Sequence, residues 1–160
     1  MNNDINIYEA YLPLFTAKTR YTIVTGGRGS GKSFALACAT LLSTYDDPFN
    51  ILYTRYTLVS AEVSIIPEYV EKIDLMDRAD DFTIRRREVV NDLTGATILF
   101  RGLKTSSKNQ IAKLKSLNRI KTWILDEAQE LVDESLFDTI DLSIREKDAD
   151  NRVILVLNPD

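Results

Sequence analysis

The chain has 160 residues, of which 44% are hydrophobic and 28% are charged, and its formal net charge is −4. This composition is typical of one globular domain with its own core, and no apolar run approaches the roughly 18 residues of a membrane span. The N-terminus lacks the basic start and apolar segment of a signal peptide, and the single cysteine (Cys38) excludes an internal disulfide. The absence of histidine excludes Ser-His-Asp and Cys-His nucleophiles and disfavours a zinc site.

The first half of the chain alternates between strand and helix patterns. Tyr21–Thr25 is a short β-branched run followed by glycines, which predicts a strand, and Lys32–Tyr45 is apolar on all sides, which predicts a buried helix. Asn50–Arg55 is predicted to be the second strand. A weaker helical pattern runs from Leu58 to Met76, and Pro67 is expected to break or restart that helix.

The second half of the chain contains a hairpin pattern and two further strands. Phe82–Val90 and Ala96–Phe100 flank a polar, glycine-containing segment and predict an antiparallel hairpin. Lys121–Leu125 and Arg152–Leu157 are apolar runs of the buried-strand type, and Asp133–Ile144 between them is an amphipathic helix. We therefore predict an α/β fold with a mainly parallel sheet, flanking helices and an inserted β-hairpin.

A phosphate-binding loop follows the first strand and indicates a P-loop NTPase. The sequence GGRGSGKS matches the Walker A pattern G-x-x-x-x-G-K-[ST] at every fixed position. Its glycines allow backbone N–H groups to surround an anion, and the N-terminus of the following helix adds a positive dipole. We predict that Lys32 contacts the β- and γ-phosphates of ATP and that Ser33 contributes to Mg²⁺ coordination. The predicted nucleotide-binding residues are Gly26, Gly27, Arg28, Gly29, Ser30, Gly31, Lys32 and Ser33.

Two adjacent carboxylates follow the predicted strand Lys121–Leu125. Asp126 lies where the carboxyl end of the strand meets the edge of the sheet, and it can hold Mg²⁺ through water. The next residue, Glu127, can polarise a water for in-line attack on the γ-phosphate. Alone, the pair also fits a solvated strand end. Together with the phosphate loop, it predicts an Mg²⁺-dependent ATPase in which Glu127 is the catalytic base and Lys32 is a second catalytic residue.

Several other side chains near these motifs have two interpretations each. Arg28 can stabilise the transferred phosphoryl group as a third catalytic residue, or it can be a solvated surface arginine. Asn158 can hydrogen-bond the γ-phosphate or the attacking water, or it can form a simple Asn-Pro turn. Tyr8, Tyr11 and Phe15 can line an adenine pocket or cover the sheet.

Charge is unevenly distributed along the second half of the chain. Between Arg101 and Leu125 seven residues are basic and none is acidic, whereas ten acidic and two basic residues lie between Asp126 and Asp150. The two segments can be oppositely charged solvated faces. Alternatively, the basic segment can contact phosphates, either of DNA or of a neighbouring subunit's nucleotide.

Together these motifs resemble the ATPase domain of the large terminase subunit of tailed bacteriophages. The resemblance runs from about Tyr21 to Pro159 and is carried by RYTIVTGGRGSGKS, ILYTR, FRGLKTSSKNQIAKLKSLNRIKTWILDEAQE and VILVLNP. It implies an ATP-driven motor that moves double-stranded DNA into a viral procapsid and works as a ring of subunits on the portal. It also implies the small terminase subunit and the portal protein as partners, no membrane association, and a location in the host cytoplasm.

The resemblance assigns roles to individual residues. The phosphate-binding, metal and catalytic-base roles fall on Lys32, Ser33, Asp126 and Glu127. Arg28 corresponds to the arginine inside the family's loop, and Asn158 falls in the coupling motif, which links hydrolysis to subdomain movement. The arginine finger that the family supplies to a neighbouring subunit has no clean counterpart. The candidates are Arg119 and Lys115, followed by Arg101 and Arg145.

The resemblance also concerns domain organisation. Residues 1–160 are expected to be an N-terminal motor domain that is incomplete at its C-terminus and has no nuclease domain. The strand ending at Leu157 is expected between the strand before Gly26 and the strand ending at Asp126, which leaves the first strand as an outer strand. We expect this piece alone to bind nucleotide weakly and to turn over ATP poorly.

Two other functions fit the same motifs. One is a helicase-like or other nucleic-acid remodelling P-loop ATPase, and the other is a non-translocating module that uses ATP as a switch for assembly.

Overall fold

The computed structural model describes residues 5–27, 29–58, 60–104, 114 and 117–158. The strands are β1 (Tyr21–Thr25), β2 (Asn50–Arg55), β3 (Phe82–Ile84), β4 (Glu88–Asn91), β5 (Thr97–Gly102), β6 (Ile120–Asp126) and β7 (Arg152–Leu157). The helices are α1 (Pro13–Thr16), α2 (Lys32–Ser43), α3 (Ala61–Ser64), α4 (Ile66–Leu75) and α5 (Glu134–Ser143). Short 3-10 turns occupy Glu9–Tyr11, Ala79–Asp81 and Ala128–Glu130. None of the helices described is long and apolar enough to cross a membrane.

The strands form one mixed, mainly parallel sheet with the order β1-β7-β6-β2-β5-β4-β3. The strands from β1 to β5 in this order are mutually parallel, so their carboxyl ends meet at one edge of the sheet. β4 and β3 continue the sheet in antiparallel fashion beyond β5. As expected, β7 lies between β1 and β6, and β1 is an outer strand of the described sheet, with Ile23 64% exposed. The predicted α/β fold with a mainly parallel sheet is confirmed.

The predicted hairpin was wrong in one respect, because Phe82–Val90 is two strands rather than one. β3 ends at Ile84, the chain turns through Arg85–Arg87, and β4 begins at Glu88. The backbone N–H of Arg85 donates to the Glu88 carbonyl over 2.9 Å and closes this turn. Three successive arginines are strongly solvated, so they favour an exposed turn over a continuous strand. The result is a three-stranded antiparallel meander of β3, β4 and β5.

The two faces of the sheet carry separate hydrophobic cores. Alternate residues of β6 serve different cores: Ile124 belongs to the core beneath α1, α2 and α4, whereas Trp123 belongs to the core beneath α5. Trp123 is fully buried and Cys38 is 2% exposed, so both are packing residues of the core. The helical pattern from Leu58 to Met76 divides into α3 and α4, and Pro67 lies in the first turn of α4, where a missing N–H costs little.

Candidate functional site

The phosphate loop connects the end of β1 to the start of α2 and surrounds a cavity of about 570 Å³. Gly29 and Gly31 have φ angles of 77° and 83°, in the left-handed region that glycine adopts without strain. A Cβ atom on Gly26 would lie 2.5 Å from the Tyr11 hydroxyl oxygen, so the loop packs closely on the turn that precedes β1. The cavity is lined by Gly26, Gly27, Gly29, Ser30, Gly31, Lys32, Ser33, Phe34, Glu127, Gln129, Glu130 and Asn158.

Lys32 connects the phosphate loop to the end of β7. Its ammonium group donates to the carbonyl of Gly26 (2.7 Å), to the carbonyl of Leu157 (2.9 Å) and to the Oδ1 of Asn158. The side chain is buried, and burial lowers the pKa of Lys32, although the negative charge of Asp126 partly opposes this effect. The predicted phosphate-binding lysine and the predicted coupling residue are therefore in direct contact, although 126 residues separate them.

Asp126 ends β6 and is held by three donors. Its Oδ2 accepts from the Tyr53 hydroxyl (2.5 Å) and from Nε of Arg55 (3.0 Å), and its Oδ1 accepts from the backbone N–H of Glu127 (2.9 Å). Burial and the neighbouring carboxylate raise the pKa of Tyr53 well above its ordinary value, so this hydroxyl keeps its proton and donates. Burial alone would lower the pKa of Arg55, but Tyr53 and Asp126 outweigh it and raise that pKa. Asp126 is thus a fixed and charge-balanced carboxylate.

Glu127 is placed in the cavity by an unusual backbone conformation. Its φ of 53° and ψ of 46° lie in the left-handed region, which a non-glycine residue adopts at a cost of about 1–3 kcal/mol. The chain then enters the 3-10 turn Ala128–Glu130, and the Oε1 of Gln129 accepts from the backbone N–H of Asn158 over 3.3 Å. The turn directs Glu127 toward the phosphate loop and ties the end of β6 to the end of β7.

The structure brings most of the predicted site residues together. One cavity is lined by the described loop glycines, Ser30, Lys32, Ser33, Glu127 and Asn158. Asp126 precedes Glu127 in the chain and is 8% exposed. Arg28 and Lys115 lie outside the described residues. Arg119 precedes β6, at the opposite edge of the sheet, about 23 Å from Asp126 at roughly 3.3 Å per strand residue. Its guanidinium lies 5.3 Å from the centroid of the Phe49 ring.

Sequence reasoning missed three residues of this site: Tyr53, Arg55 and Gln129. Tyr53 and Arg55 reach Asp126 because β2 is the neighbour of β6 in the sheet, with Arg55 paired to Asp126 in register. The motifs do not specify that neighbour relationship. For Gln129, its position two residues after the catalytic-base candidate was an available signal.

The site also has oxygen donors of the kind that Mg²⁺ prefers, but too few to bind the ion without the nucleotide and water. Ser33 lines the cavity and Asp126 supplies a carboxylate, which fits a metal held mainly by a hydroxyl, waters and nucleotide phosphates. Among the described residues, no group of three or more Asp, Glu, Cys or His side chains could bind a metal by itself. Because Oδ2 of Asp126 already accepts from two side chains, Asp126 fits indirect binding of Mg²⁺ through water better than a direct bond.

Comparison of folds relates the chain to several solved structures. It is similar to the large terminase of a thermophilic bacteriophage (TM-score 0.72, 13% identity, 94% of this chain and 39% of that one). Another crystal form of that protein, in complex with ADP, matches with a TM-score of 0.67 at 15% identity over 94% of this chain and 38% of that one. The large terminase ATPase domain of Thermus phage P74-26 matches with a TM-score of 0.64 at 21% identity over 97% of this chain and 66% of that one. At these identities the matches establish a shared fold, and the chain spans about two fifths of the length of the first protein.

Comparison of sequences gives a more specific result. No curated protein sequence matches the chain significantly. A family model described as the phage terminase large subunit matches residues 18–160, from just before β1 to beyond the end of β7. Because this match covers most of the chain, the chain belongs to the phage terminase large subunit family.

Proposed function

We propose that this chain is the Mg²⁺-dependent ATPase domain of a motor that moves double-stranded viral DNA into a procapsid. The observation that carries the proposal is the meeting of Lys32, Glu127 and Asn158 in one cavity at the carboxyl edge of the sheet. These residues come from three separate segments, and each has a separate role in ATP hydrolysis and its coupling to movement. Family membership and the ADP complex of a similar large terminase support the same function.

In the proposed reaction the chain supplies positioning, charge and a base. The loop N–H groups and Lys32 hold the phosphates of ATP, and the hydroxyl of Ser33 and the carboxylate of Asp126 hold Mg²⁺. When bound, Mg²⁺ neutralises charge that develops on the phosphates. Glu127 accepts a proton from the attacking water and orients it for in-line displacement. Arg28 is proposed to add charge stabilisation from within the loop.

Coupling to movement is proposed to pass through the end of β7. The phosphates of ATP compete with the Leu157 carbonyl and Asn158 for the ammonium of Lys32, because one ammonium has only three N–H donors. Binding and hydrolysis would therefore change the contacts of the segment that follows β7. The contact between Gln129 and Asn158 provides a second connection, from the Glu127 turn to the same segment.

The proposal extends to the assembly. Residues 1–160 form the N-terminal ATPase domain of a large terminase, which works as a ring on the portal protein with the small terminase subunit, in the host cytoplasm. In such a ring a basic residue, with Arg119 and Lys115 as candidates, enters the neighbouring subunit's site. A similar solved structure, described as the bacteriophage Phi-29 viral genome packaging motor assembly, supports this arrangement (TM-score 0.59, 18% identity, 88% of this chain and 43% of that one).

The test compares Glu127→Gln with Glu130→Gln, two equal changes of charge in the same cavity. Packaging is measured as nuclease-protected DNA in purified procapsids, and ATP binding is measured separately. We expect Glu127→Gln to bind ATP but to lose packaging, whereas Glu130→Gln packages normally. Normal packaging by Glu127→Gln would overturn the motor and favour an ATP switch.

A further inference from the structure

The two carboxylate oxygens of Asp126 have unequal hydrogen-bond partners. Oδ2 accepts from the Tyr53 hydroxyl (2.5 Å) and from Nε of Arg55 (3.0 Å), whereas Oδ1 accepts from the backbone N–H of Glu127 (2.9 Å). Each oxygen of an ionised carboxylate has about two lone-pair sites. Within the part of the chain that the structure describes, Oδ2 therefore has its sites filled, and Oδ1 keeps one site for a further donor or a metal-bound water.

The two oxygens also differ in the part of the site to which they are joined. Tyr53 and Arg55 belong to β2, which lies on the side of β6 away from β1 and β7. Oδ1 is joined instead to Glu127, which lines the phosphate-loop cavity. The filled oxygen is thus bound to the neighbouring strand, and the oxygen with remaining capacity is bound to the residue that lines the cavity.

The position of the Tyr53 hydroxyl is set by packing in the core. Tyr53 is 1% exposed, and the centroid of its ring lies 5.3 Å from that of Phe100 and 6.1 Å from that of Tyr69. Phe100 comes from β5 and Tyr69 from α4, and both side chains are buried. Tyr53 is in register with Ile124, two residues before Asp126, so the ring lies on the same face of the sheet as the carboxylate. Because aromatic side chains of two other elements contact the ring, the hydroxyl is held beside Asp126.

Arg55 is the second donor to Oδ2, but it constrains the carboxylate less. Its side chain is 23% exposed, whereas Tyr53 is enclosed. A guanidinium has five N–H donors and a delocalised charge, so it can pair with either oxygen of a carboxylate. The Tyr53 hydroxyl has a single O–H at a fixed place, and this donor distinguishes Oδ2 from Oδ1.

We infer that Tyr53 is a positioning residue for the metal: its hydroxyl occupies Oδ2 of Asp126 and so keeps Oδ1 available to a water of the Mg²⁺ shell. The inference rests on the proposed function, since it concerns how the ATPase holds its metal. Hydrogen bonds to the carboxylates of a metal site orient them, and the loss of such a partner costs about 10- to 100-fold in metal affinity. Without the hydroxyl, Oδ2 has a free site, and the carboxylate no longer has one preferred orientation.

The test measures binding of a fluorescent, hydrolysis-resistant ATP analogue (mant-AMPPNP) to the purified full-length protein during titration with magnesium chloride, and again in EDTA. Tyr53→Phe removes the hydroxyl and keeps the ring. The matched control is Tyr69→Phe, which removes a hydroxyl of the same aromatic cluster that is not bonded to Asp126. We expect Tyr53→Phe to need about tenfold more Mg²⁺ for its half-maximal effect on binding, with unchanged binding in EDTA. Tyr69→Phe should need the same Mg²⁺ concentration as the unmodified protein.

A second comparison checks that the effect passes through Asp126. In the Asp126→Asn variant the oriented carboxylate is absent, so adding Tyr53→Phe should not raise the required Mg²⁺ concentration further. A further rise in the double variant would contradict the inference.

Two other results would also overturn it. If Tyr53→Phe needs no more Mg²⁺ than Tyr69→Phe, or if it weakens binding equally in EDTA, the Tyr53 hydroxyl serves the fold and not the metal. If Mg²⁺ has no effect on binding by the unmodified protein, the proposed Mg²⁺-dependent ATPase fails as well, which separates the two failures.

Discussion

At the scale of single residues, the two glycines that begin the phosphate loop differ in their surroundings. A Cβ atom on Gly26 would lie 2.5 Å from the Tyr11 hydroxyl oxygen and 2.7 Å from the Ser30 hydroxyl oxygen, whereas one on Gly27 would have no neighbour within 4 Å. Gly26→Ala is expected to lower the free energy of unfolding by about 1–3 kcal/mol through overpacking. Gly27→Ala is expected to change it by less than about 1 kcal/mol.

Chemical denaturation of the two variants checks this difference. Adding Tyr11→Phe to the Gly26→Ala variant removes the hydroxyl. This double variant should recover part of the free energy of unfolding that Gly26→Ala loses. Equal stability of Gly26→Ala and Gly27→Ala would show that the loop does not pack on the turn before β1 as described.

The ion pair between Arg55 and Asp126 gives a second prediction at this scale. The two side chains are 23% and 12% exposed, whereas those of Arg86 and Glu62 are 83% and 40% exposed. Arg55→Gln should lower the free energy of unfolding by about 2 kcal/mol, since a largely buried carboxylate loses its cation. Arg86→Gln should cost less than about 1 kcal/mol. Similar losses for both variants, measured by denaturant unfolding, would mean that burial does not strengthen the Arg55 pair.

The sequence could predict that the phosphate loop and Glu127 lie close together, because each belongs to a motif with recognisable local spacing. It could not predict that Arg55 reaches Asp126. That contact requires β2 to be the neighbour of β6 in the sheet, and no motif encodes this pairing.

At the scale of elements, the start of α5 depends on one side chain. The Asp133 carboxylate accepts a hydrogen bond from the backbone N–H of Leu136 over 3.2 Å and caps the helix. Asp133→Ala should lower the free energy of unfolding by about 1 kcal/mol, because an N–H at the helix start loses its acceptor. Asp138→Ala, a matched change at an exposed position inside the helix, should cost less. Thermal unfolding of the pair checks this, and an equal loss would exclude a capping role.

Strands and helices were predictable to different degrees. β1, β2 and β7 have the predicted bounds, because each is an apolar or β-branched run with clear breakers. The division between β3 and β4 was missed because the run from Phe82 to Val90 contains no glycine, proline or asparagine to mark a turn. The turn at Arg85–Arg87 follows instead from the solvation of three charged side chains, which the hairpin prediction left out.

At the scale of the whole molecule, the candidate site residues lie along one edge of the sheet. The carboxyl ends of β1, β7 and β6 surround the phosphate-loop cavity, and those of β2 and β5 lie at the same edge. A parallel sheet produces this arrangement, because all its parallel strands end on the same side. The motifs in the sequence indicated the phosphate-loop cavity.

We propose that this edge of the sheet hydrolyses ATP with Glu127 as the base. The most direct measurement is the rate of phosphate release from ATP by the purified full-length protein, with and without Mg²⁺, for the unmodified protein and for Glu127→Gln and Glu130→Gln. We predict release that requires Mg²⁺, falls by about a hundredfold or more in Glu127→Gln, and is retained in Glu130→Gln. Release that persists in Glu127→Gln would exclude Glu127 as the base, and release that does not need Mg²⁺ would exclude a metal-dependent reaction.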